Sequence, residues 1–135
     1  MEQLFQEFKK DALAELLGVK ILEIHPGYAK TSLEVNPGLV NSLGMTHGAA
    51  IFALVDMALA AASNSRGKVA VALNVSINYL KATQPGDNLW AIAQEEKLTR
   101  RTGVYRIVVE KESGEKVAVA TGTAFRTDRT FTGEY

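Results

Sequence analysis

The first seventeen residues carry apolar side chains at a spacing of three to four. These positions are Leu4, Phe5, Phe8, Ala12, Leu13, Leu16 and Leu17. This spacing places them on one face of a helix, and Gly18 follows where a helix would end. The pattern predicts one amphipathic helix over residues 1–17.

Strand patterns occur on both sides of the middle of the chain. Residues 19–34 predict two short strands separated by the turn-forming cluster His25-Pro26-Gly27, and residues 36–45 predict a loop. Residues 69–79 alternate apolar and polar side chains, which predicts a long strand. Three further strands are predicted, in an antiparallel meander with turns at residues 99–102 and 112–115. These strands cover residues 89–98, 103–111 and 116–126.

A nearly continuous apolar segment runs from His47 to about Ser65, and it is interrupted by Asp56. The pattern predicts a helix that protein surrounds on nearly all sides. Its most apolar part, residues 49–62, is shorter than the roughly 20 residues that cross a bilayer. A membrane partner is therefore not expected.

The order of elements is helix, two strands, buried helix and four strands, which defines an α+β class. A sheet that curls around one apolar helix would bury that helix and one face of each strand, and this arrangement is the hotdog fold. We expect a single domain over residues 1–135. The residues after Thr127 carry no clear pattern, so we expect a loosely held tail.

Charge and composition exclude several classes of function. The chain has 15 Lys and Arg against 15 Asp and Glu, so no basic excess exists to bind nucleic acid. Cysteine is absent, which excludes disulfides and thiolate chemistry and agrees with a reducing compartment. The amino terminus lacks the apolar core of a signal peptide, so we expect a cytoplasmic protein.

Asp56 is the first candidate for chemistry, because an ionised carboxylate on an apolar helix is unfavourable unless something requires it there. It could act in catalysis, or it could be paired with a basic or hydroxyl group in the core. Gly48 opens the same helix, so its N–H could hold an oxyanion, although a glycine there also suits loop geometry. Asn41 could donate to the same oxyanion or shape the loop, and His47 could orient a neighbour or cap the helix.

The segment N-S-L-G-M-T-H-G, residues 41–48, is followed eight residues later by Asp56. This arrangement resembles the motif of phenylacetate-degradation-type thioesterases, within the 4-hydroxybenzoyl-CoA thioesterase-like hotdog superfamily. The resemblance covers nearly the whole chain. It includes V-D-M-A-L-A-A-A, N-V-S-I-N-Y-L-K, the Pro85-Gly86-Asp87 turn and A-T-G-T-A-F-R.

The resemblance implies roles for these residues. Asp56 would activate water or attack the thioester, Gly48 and Asn41 would hold the carbonyl oxygen, and His47 would support them. Family members often carry Ser or Thr early in the long strand to orient the water, whereas this chain has Ala72. The resemblance implies no metal or redox cofactor. Coenzyme A enters as part of the substrate.

Helix geometry constrains how these residues could combine. Gly48 and Asp56 are eight residues apart, which is about 12 Å along a helix axis, so both cannot touch one carbonyl carbon. If both act, then each site must unite residues of two subunits across a two-fold axis. The resemblance implies the same homodimer, commonly paired into a dimer of dimers.

Coenzyme A carries phosphates, and Lys81, Arg100 and Arg101 follow a strand or lie in a turn where they could contact them. The alternative is ordinary surface charge. The leading hypothesis is hydrolysis of an acyl- or aryl-acyl-CoA, with the acyl group left open. A non-catalytic acyl-CoA sensor or carrier is the alternative, favoured by Ala72 and opposed by Asp56. Hydration of an acyl-CoA would use the same fold, but the paired Asp and His motif suited to it is not seen.

Overall fold

A computed structural model describes residues 1–131 of the chain. Its helices are α1 (Glu2–Phe8), α2 (Ala12–Leu17) and α3 (Gly48–Asn64), with a short 3-10 helix at Pro37–Leu39. Its strands are β1 (Lys20–His25), β2 (Tyr28–Glu34), β3 (Lys68–Tyr79), β4 (Asn88–Leu98), β5 (Thr102–Lys111) and β6 (Lys116–Thr130). Within these residues no helix is long and apolar enough to span a membrane.

The six strands form one antiparallel sheet in the order β1-β2-β4-β5-β6-β3. The sheet curls around α3, and Leu54, Val55 and Leu59 of this helix are fully buried against it. This is the hotdog fold that the sequence predicts. In this fold the first turn of α3 lies beside the carboxyl-terminal end of β3, at Tyr79.

The amino-terminal segment forms two helices, so the prediction of one helix over residues 1–17 is wrong. The chain breaks between Phe8 and Ala12, and Asp11 begins α2 by accepting a hydrogen bond from the Ala14 N–H at 2.9 Å. An aspartate at this position stabilises a new helix start more than it stabilises a helix interior. Gly18 ends α2 in the left-handed conformation, as expected.

The last strand is longer than predicted, because β6 continues to Thr130. The expectation of a loose tail after Thr127 is wrong for residues 128–131, which the structure describes. The Thr127 hydroxyl donates to the Val69 carbonyl at 2.7 Å, Arg101 pairs with Asp128 at 2.8 Å, and Phe131 stacks on Phe8. Residues 132–135 lie outside the described residues.

The open side of α3 departs from the expected all-round burial. Ala49 and Phe52 are exposed and Asp56 is half-buried, with Phe52 at 37% exposure. Strand β3 lies at an edge of the sheet, and its Val71 and Leu73 are 51% and 61% exposed. The apolar alternation of residues 69–79 therefore does not mark a buried face along its whole length.

A bulge in β3 changes which side chains face α3. Ala72 pairs with Ala124, which is fully buried, while Asn74 pairs with Thr123 after a register shift at Leu73. Directly paired residues share a face of the sheet, so Ala72 and Asn74 lie on opposite faces. Strict alternation along a regular strand would place them on the same face.

Candidate active site

The first turn of α3 leaves one backbone donor open. His47 caps the helix, since its Nδ1 accepts from the Ala49 N–H at 3.1 Å. The His47 carbonyl accepts from the N–H groups of Ala50 and Ile51 at 3.0 and 3.4 Å. Within the described residues the Gly48 N–H has no acceptor. It belongs to the same peptide unit as that carbonyl, so these bonds polarise it toward a further acceptor.

Asn41 supplies a second open donor. Its Oδ1 accepts from the Leu43 and Met45 N–H groups at 2.9 and 3.1 Å, an Asx-type turn that fixes the carboxamide. Its Nδ2 has no acceptor in the described part of the chain. Asn41 and Gly48 line one pocket of about 380 Å³, so the structure brings these two predicted donors together.

Two residues that the sequence analysis did not single out support this donor pocket. The Tyr79 hydroxyl donates to the Gly48 carbonyl at 3.2 Å, and its ring lies where it would meet a side chain at Gly48. The Thr83 hydroxyl donates to the Thr46 hydroxyl at 2.6 Å, and the Thr83 backbone carbonyl accepts from the Thr46 N–H at 2.9 Å. Tyr79 lies within the N-Y-L-K segment, whereas nothing in the sequence marks Thr83.

Asp56 opens on a different pocket, of about 460 Å³. Leu13, Leu17, Leu39 and Phe52 supply much of its apolar wall, and His47 is at its edge. Burial raises the pKa of the Asp56 carboxyl above its ordinary value of 3.8, and the negative charge of Asp11 raises it further. The structure shows no hydrogen bond or ion pair to this carboxylate within residues 1–131. The interpretation of Asp56 as a paired core residue is therefore not met.

The donor pocket and the Asp56 pocket do not merge within one chain. Gly48 and Asp56 are both on α3, separated by about two turns and roughly 12 Å along the helix axis. Ala72 lies on the inner face of β3 and offers no hydroxyl to orient a water molecule. Ser76 cannot supply that hydroxyl, because it pairs with Thr121, which faces outward.

Within residues 1–131 no cluster of three His, Asp or Glu side chains could hold a metal ion.

The three basic candidates are divided between the ends of the sheet. Lys81 lines the donor pocket with Asn41 and lies 3.8 Å from Glu115. Arg100 and Arg101 lie in the β4–β5 turn, next to the opposite end of β3, roughly 30 Å away along that strand. Arg101 is already paired with Asp128 through two hydrogen bonds.

Comparison with known proteins identifies the family to which this fold belongs. The sequence model of the thioesterase superfamily matches residues 43–118, which include Gly48, Asp56 and the whole of α3 and β3. The chain belongs to the thioesterase superfamily and is a thioester hydrolase.

Within that class the chain is a PaaI-like hotdog thioesterase. It is 35% identical over 127 residues to acyl-coenzyme A thioesterase PaaI of Escherichia coli K12, covering 94% of this chain and 91% of that protein. The structure of the E. coli PaaI protein from the phenylacetic acid degradation operon superposes with a TM-score of 0.90 at 32% identity, covering 96% of each chain. The smu.793 protein of Streptococcus mutans, solved bound to acetyl-CoA, gives a TM-score of 0.79 at 33% identity, covering 83% of this chain and 90% of that one.

Proposed function

We propose that the protein hydrolyses an acyl- or aryl-acyl-CoA to the free acid and coenzyme A. The similar proteins named for acyl-CoA hydrolysis or solved with acetyl-CoA support this substrate class. The observation that carries the proposal is the pair of open donors at Gly48 and Asn41, together with an unpaired carboxylate at Asp56. Donors and a base are the two groups that attack of water on a thioester requires.

In the proposed reaction the thioester oxygen binds to the Gly48 N–H and the Asn41 amide. Asp56 takes a proton from water as the water oxygen bonds to the carbonyl carbon, and the carbonyl electron pair moves onto the oxygen. The electron pair then returns, the C–S bond breaks, and the CoA sulfur leaves and takes up a proton. The reaction consumes only the thioester and water.

Asp56 could instead attack the carbonyl carbon itself and form an anhydride that water then opens. A single turnover in heavy-oxygen water separates the two routes. Direct attack by water puts the label in the product acid. Opening of the anhydride at its aspartyl carbonyl puts the label in Asp56, which mass spectrometry of the protein would detect.

The site requires two chains if both groups act on one carbonyl. We propose a homodimer that forms through the exposed edge strand β3 and the open side of α3, with pairs of dimers forming a tetramer. Val71 and Leu73 on β3 and Phe52 on α3 are exposed, and they give these two surfaces an apolar character that a monomer seldom leaves uncovered. The second chain would bring its Asp56 to the first chain's donor pocket.

The CoA phosphates would meet basic side chains at the entrance of the donor pocket. Lys81 is the contact that the protomer geometry supports directly, because it lines this pocket. Arg100 and Arg101 would reach the same phosphates only from the second protomer, whose antiparallel β3 would bring its opposite end alongside. Ala variants of each residue should raise KM and flatten its dependence on salt. An unchanged KM would assign that residue to surface charge.

The alternative, an acyl-CoA-binding protein without activity, rests on Ala72, which offers no hydroxyl to orient water. Thiol release from a panel of acyl-CoAs, measured for the wild type and Asp56→Asn, separates the two functions. We expect the variant to lower kcat by about a hundredfold or more. Because burial disfavours the Asp56 charge, Asp56→Asn should fold at least as stably at neutral pH. Equal thiol release by both proteins would contradict the proposed role.

A further inference from the structure

We propose that Thr83 is the positioning residue for the Asn41 donor and that it acts through its hydroxyl group. The inference rests on the proposed function, in which Asn41 and Gly48 donate to one carbonyl oxygen. These two donors belong to different segments, the loop after the 3-10 helix and the first turn of α3. Their spacing depends on how that loop is held against the rest of the chain.

The loop that carries Asn41 is closed on itself. The Asn41 N–H donates to the Met45 carbonyl at 2.7 Å, and the Asn41 Oδ1 accepts from the Leu43 and Met45 N–H groups. Val40 pairs with Thr46 in an isolated β-bridge at the base of the loop. Because these bonds fix the shape of the loop, the direction of the Asn41 Nδ2 follows from how the base is attached.

Thr83 attaches the base of the loop by two hydrogen bonds to Thr46. One is made by its backbone carbonyl at 2.9 Å and the other by its hydroxyl at 2.6 Å. Thr46 is 6% exposed and Thr83 is 3% exposed, so water does not compete for either bond. Both residues are already buried within one chain, so this attachment does not require a second chain.

Thr83 is itself fixed on both sides. Before it, the Leu80 N–H donates to the Val117 carbonyl of β6 at 2.8 Å. After it, the Gln84 N–H donates to the Asp87 carboxylate at 2.9 Å. The Thr83 hydroxyl therefore connects the loop to a firmly held part of the sheet. Accurate placement matters, because a shift of about 1 Å at a reacting group can lower a rate by about a hundredfold.

The experiment removes the hydroxyl and keeps the rest of the contact. Thr83→Val retains the side-chain shape and the backbone carbonyl, whereas Thr83→Ser retains the hydroxyl. Thr31→Val is the matched control, because the buried Thr31 hydroxyl donates to the Leu54 carbonyl at 3.0 Å and lines neither the donor pocket nor the Asp56 pocket. The measurements are kcat and KM for the acyl-CoA that the wild type hydrolyses fastest, the dissociation constant of coenzyme A, and thermal unfolding.

Thr83→Val should lower kcat by about tenfold, because the Asn41 amide no longer has one fixed direction as charge develops on the oxygen. KM and the dissociation constant should stay within about twofold, as expected when an interaction made only in the transition state is weakened. Thr83→Ser and Thr31→Val should keep kcat within about twofold of the wild type. An unchanged kcat in Thr83→Val, the same loss in Thr31→Val, or no recovery in Thr83→Ser would overturn the inference.

A double variant shows whether Thr83 acts through Asn41. In an Asn41→Ala background Thr83→Val should lower kcat by less than about twofold, since no amide is left to position. An undiminished tenfold loss in that background would overturn the inference, because Thr83 would then act independently of Asn41. If Thr83→Val does not fold, Thr46→Val removes the other hydroxyl of the same bond and takes its place in every comparison.

A spectroscopic measurement separates this inference from the proposed function. The side-chain amide resonance of Asn41, assigned by its loss in Asn41→Asp, should be sharp in the wild type and broadened or doubled in Thr83→Val. An unchanged resonance would overturn the positioning role. If no thioester is hydrolysed but the resonance changes as expected, then the proposed function fails and the positioning of Asn41 by Thr83 stands.

Discussion

At the scale of single residues, the candidate site is defined by groups whose bonding is incomplete. The Gly48 N–H and the Asn41 amide have no acceptor within residues 1–131, and the Asp56 carboxylate has no donor. Their neighbours are committed to fixed bonds, as the His47 cap and the Asn41 turn show. Fixed neighbours keep the open groups oriented, so that little reorganisation is needed as charge develops.

Asn41→Asp is expected to distinguish the role of Oδ1, which accepts in the turn, from that of Nδ2, which would donate to the oxyanion. A carboxylate can still accept from the Leu43 and Met45 N–H groups, so the turn should persist. The donor to the oxyanion is lost, and a negative charge replaces it. We expect kcat to fall by about a hundredfold to a thousandfold, the effect typical of losing one oxyanion donor.

The matched control is Asn36→Asp, because Asn36 also accepts a loop N–H, that of Gly38 at 2.8 Å, but does not line the donor pocket. Steady-state kinetics of both variants, with thermal unfolding to confirm the fold, provide the measurement. If Asn41→Asp retained wild-type kcat, or if both variants lost it equally, Asn41 would not be the oxyanion donor.

The pH dependence of activity should report the environment of Asp56. Burial and, secondarily, Asp11 raise the pKa of this carboxyl above 3.8. A base must be deprotonated, so kcat/KM should rise with pH through a limb that lies above this value. Asp11→Asn keeps a good helix cap and removes the charge, so it should move the limb to lower pH.

Glu15→Gln is the control for this shift, since it removes a negative charge from the same helix without being a cause of the Asp56 pKa. The measurement is the pH profile of kcat/KM for the three proteins. The electrostatic account fails if Glu15→Gln moves the limb as far as Asp11→Asn, or if neither moves it.

At the scale of elements, the sequence predicted well those segments whose pattern reflects contacts within the chain. Helix α3 and the β4–β5 pair were predicted to within a few residues, since the sheet and helix bury each other. The break before α2 was missed because the apolar spacing continues across Asp11, whose capping role is a local competitor to helix propagation. The β3 bulge was missed because no residue type near Leu73 marks it.

The candidate site was predictable where its residues interrupt a local pattern or belong to the motif. Gly48 and Asp56 stand out as exceptions within an apolar pattern, and Asn41 follows from the motif. Tyr79 and Thr83 act through contacts with residues more than thirty positions away, which no local pattern encodes. Their roles needed the three-dimensional pairing of β3 and the loop after it with the start of α3.

Close packing between β6 and α3 gives a prediction at this scale. A Cβ at Gly122 would lie 2.8 Å from Leu59 Cδ2, and Leu59 is only 1% exposed, so it has little room to move. Gly122→Ala should therefore lower the free energy of unfolding by about 1–3 kcal/mol through overpacking. Thr121→Ala, on the exposed neighbouring position of β6, should change it by less.

Chemical denaturation of the two variants and of the double variant Gly122→Ala with Leu59→Ala provides the measurement. The double variant should lose less stability than the sum of the single changes, because the added methyl group occupies space that the leucine vacates. Strict additivity would show that the alanine and Leu59 do not meet.

At the scale of the whole molecule, the separation of the donors from the carboxylate predicts a site shared by two chains. Asp56→Asn and Gly48→Pro should each be nearly inactive. Proline removes the N–H at the first position of α3, where a proline is otherwise well tolerated. The preceding His47 has the extended backbone that proline requires, and a Cβ at position 48 would lie 3.4 Å from the Tyr79 ring, an ordinary contact.

The two variants carry their defects in opposite halves of the shared site. If they are unfolded together and refolded in equal amounts, about half of the dimers should contain one chain of each kind. Each mixed dimer has one site with intact Asp56 and intact Gly48, and one site with both defects. Thioester hydrolysis should therefore recover to about a quarter of the wild-type rate. If the site were built within one chain, every site would keep a defect. A mixture that forms mixed dimers, as a pull-down through a tag on one chain would show, but regains no activity would contradict the shared site.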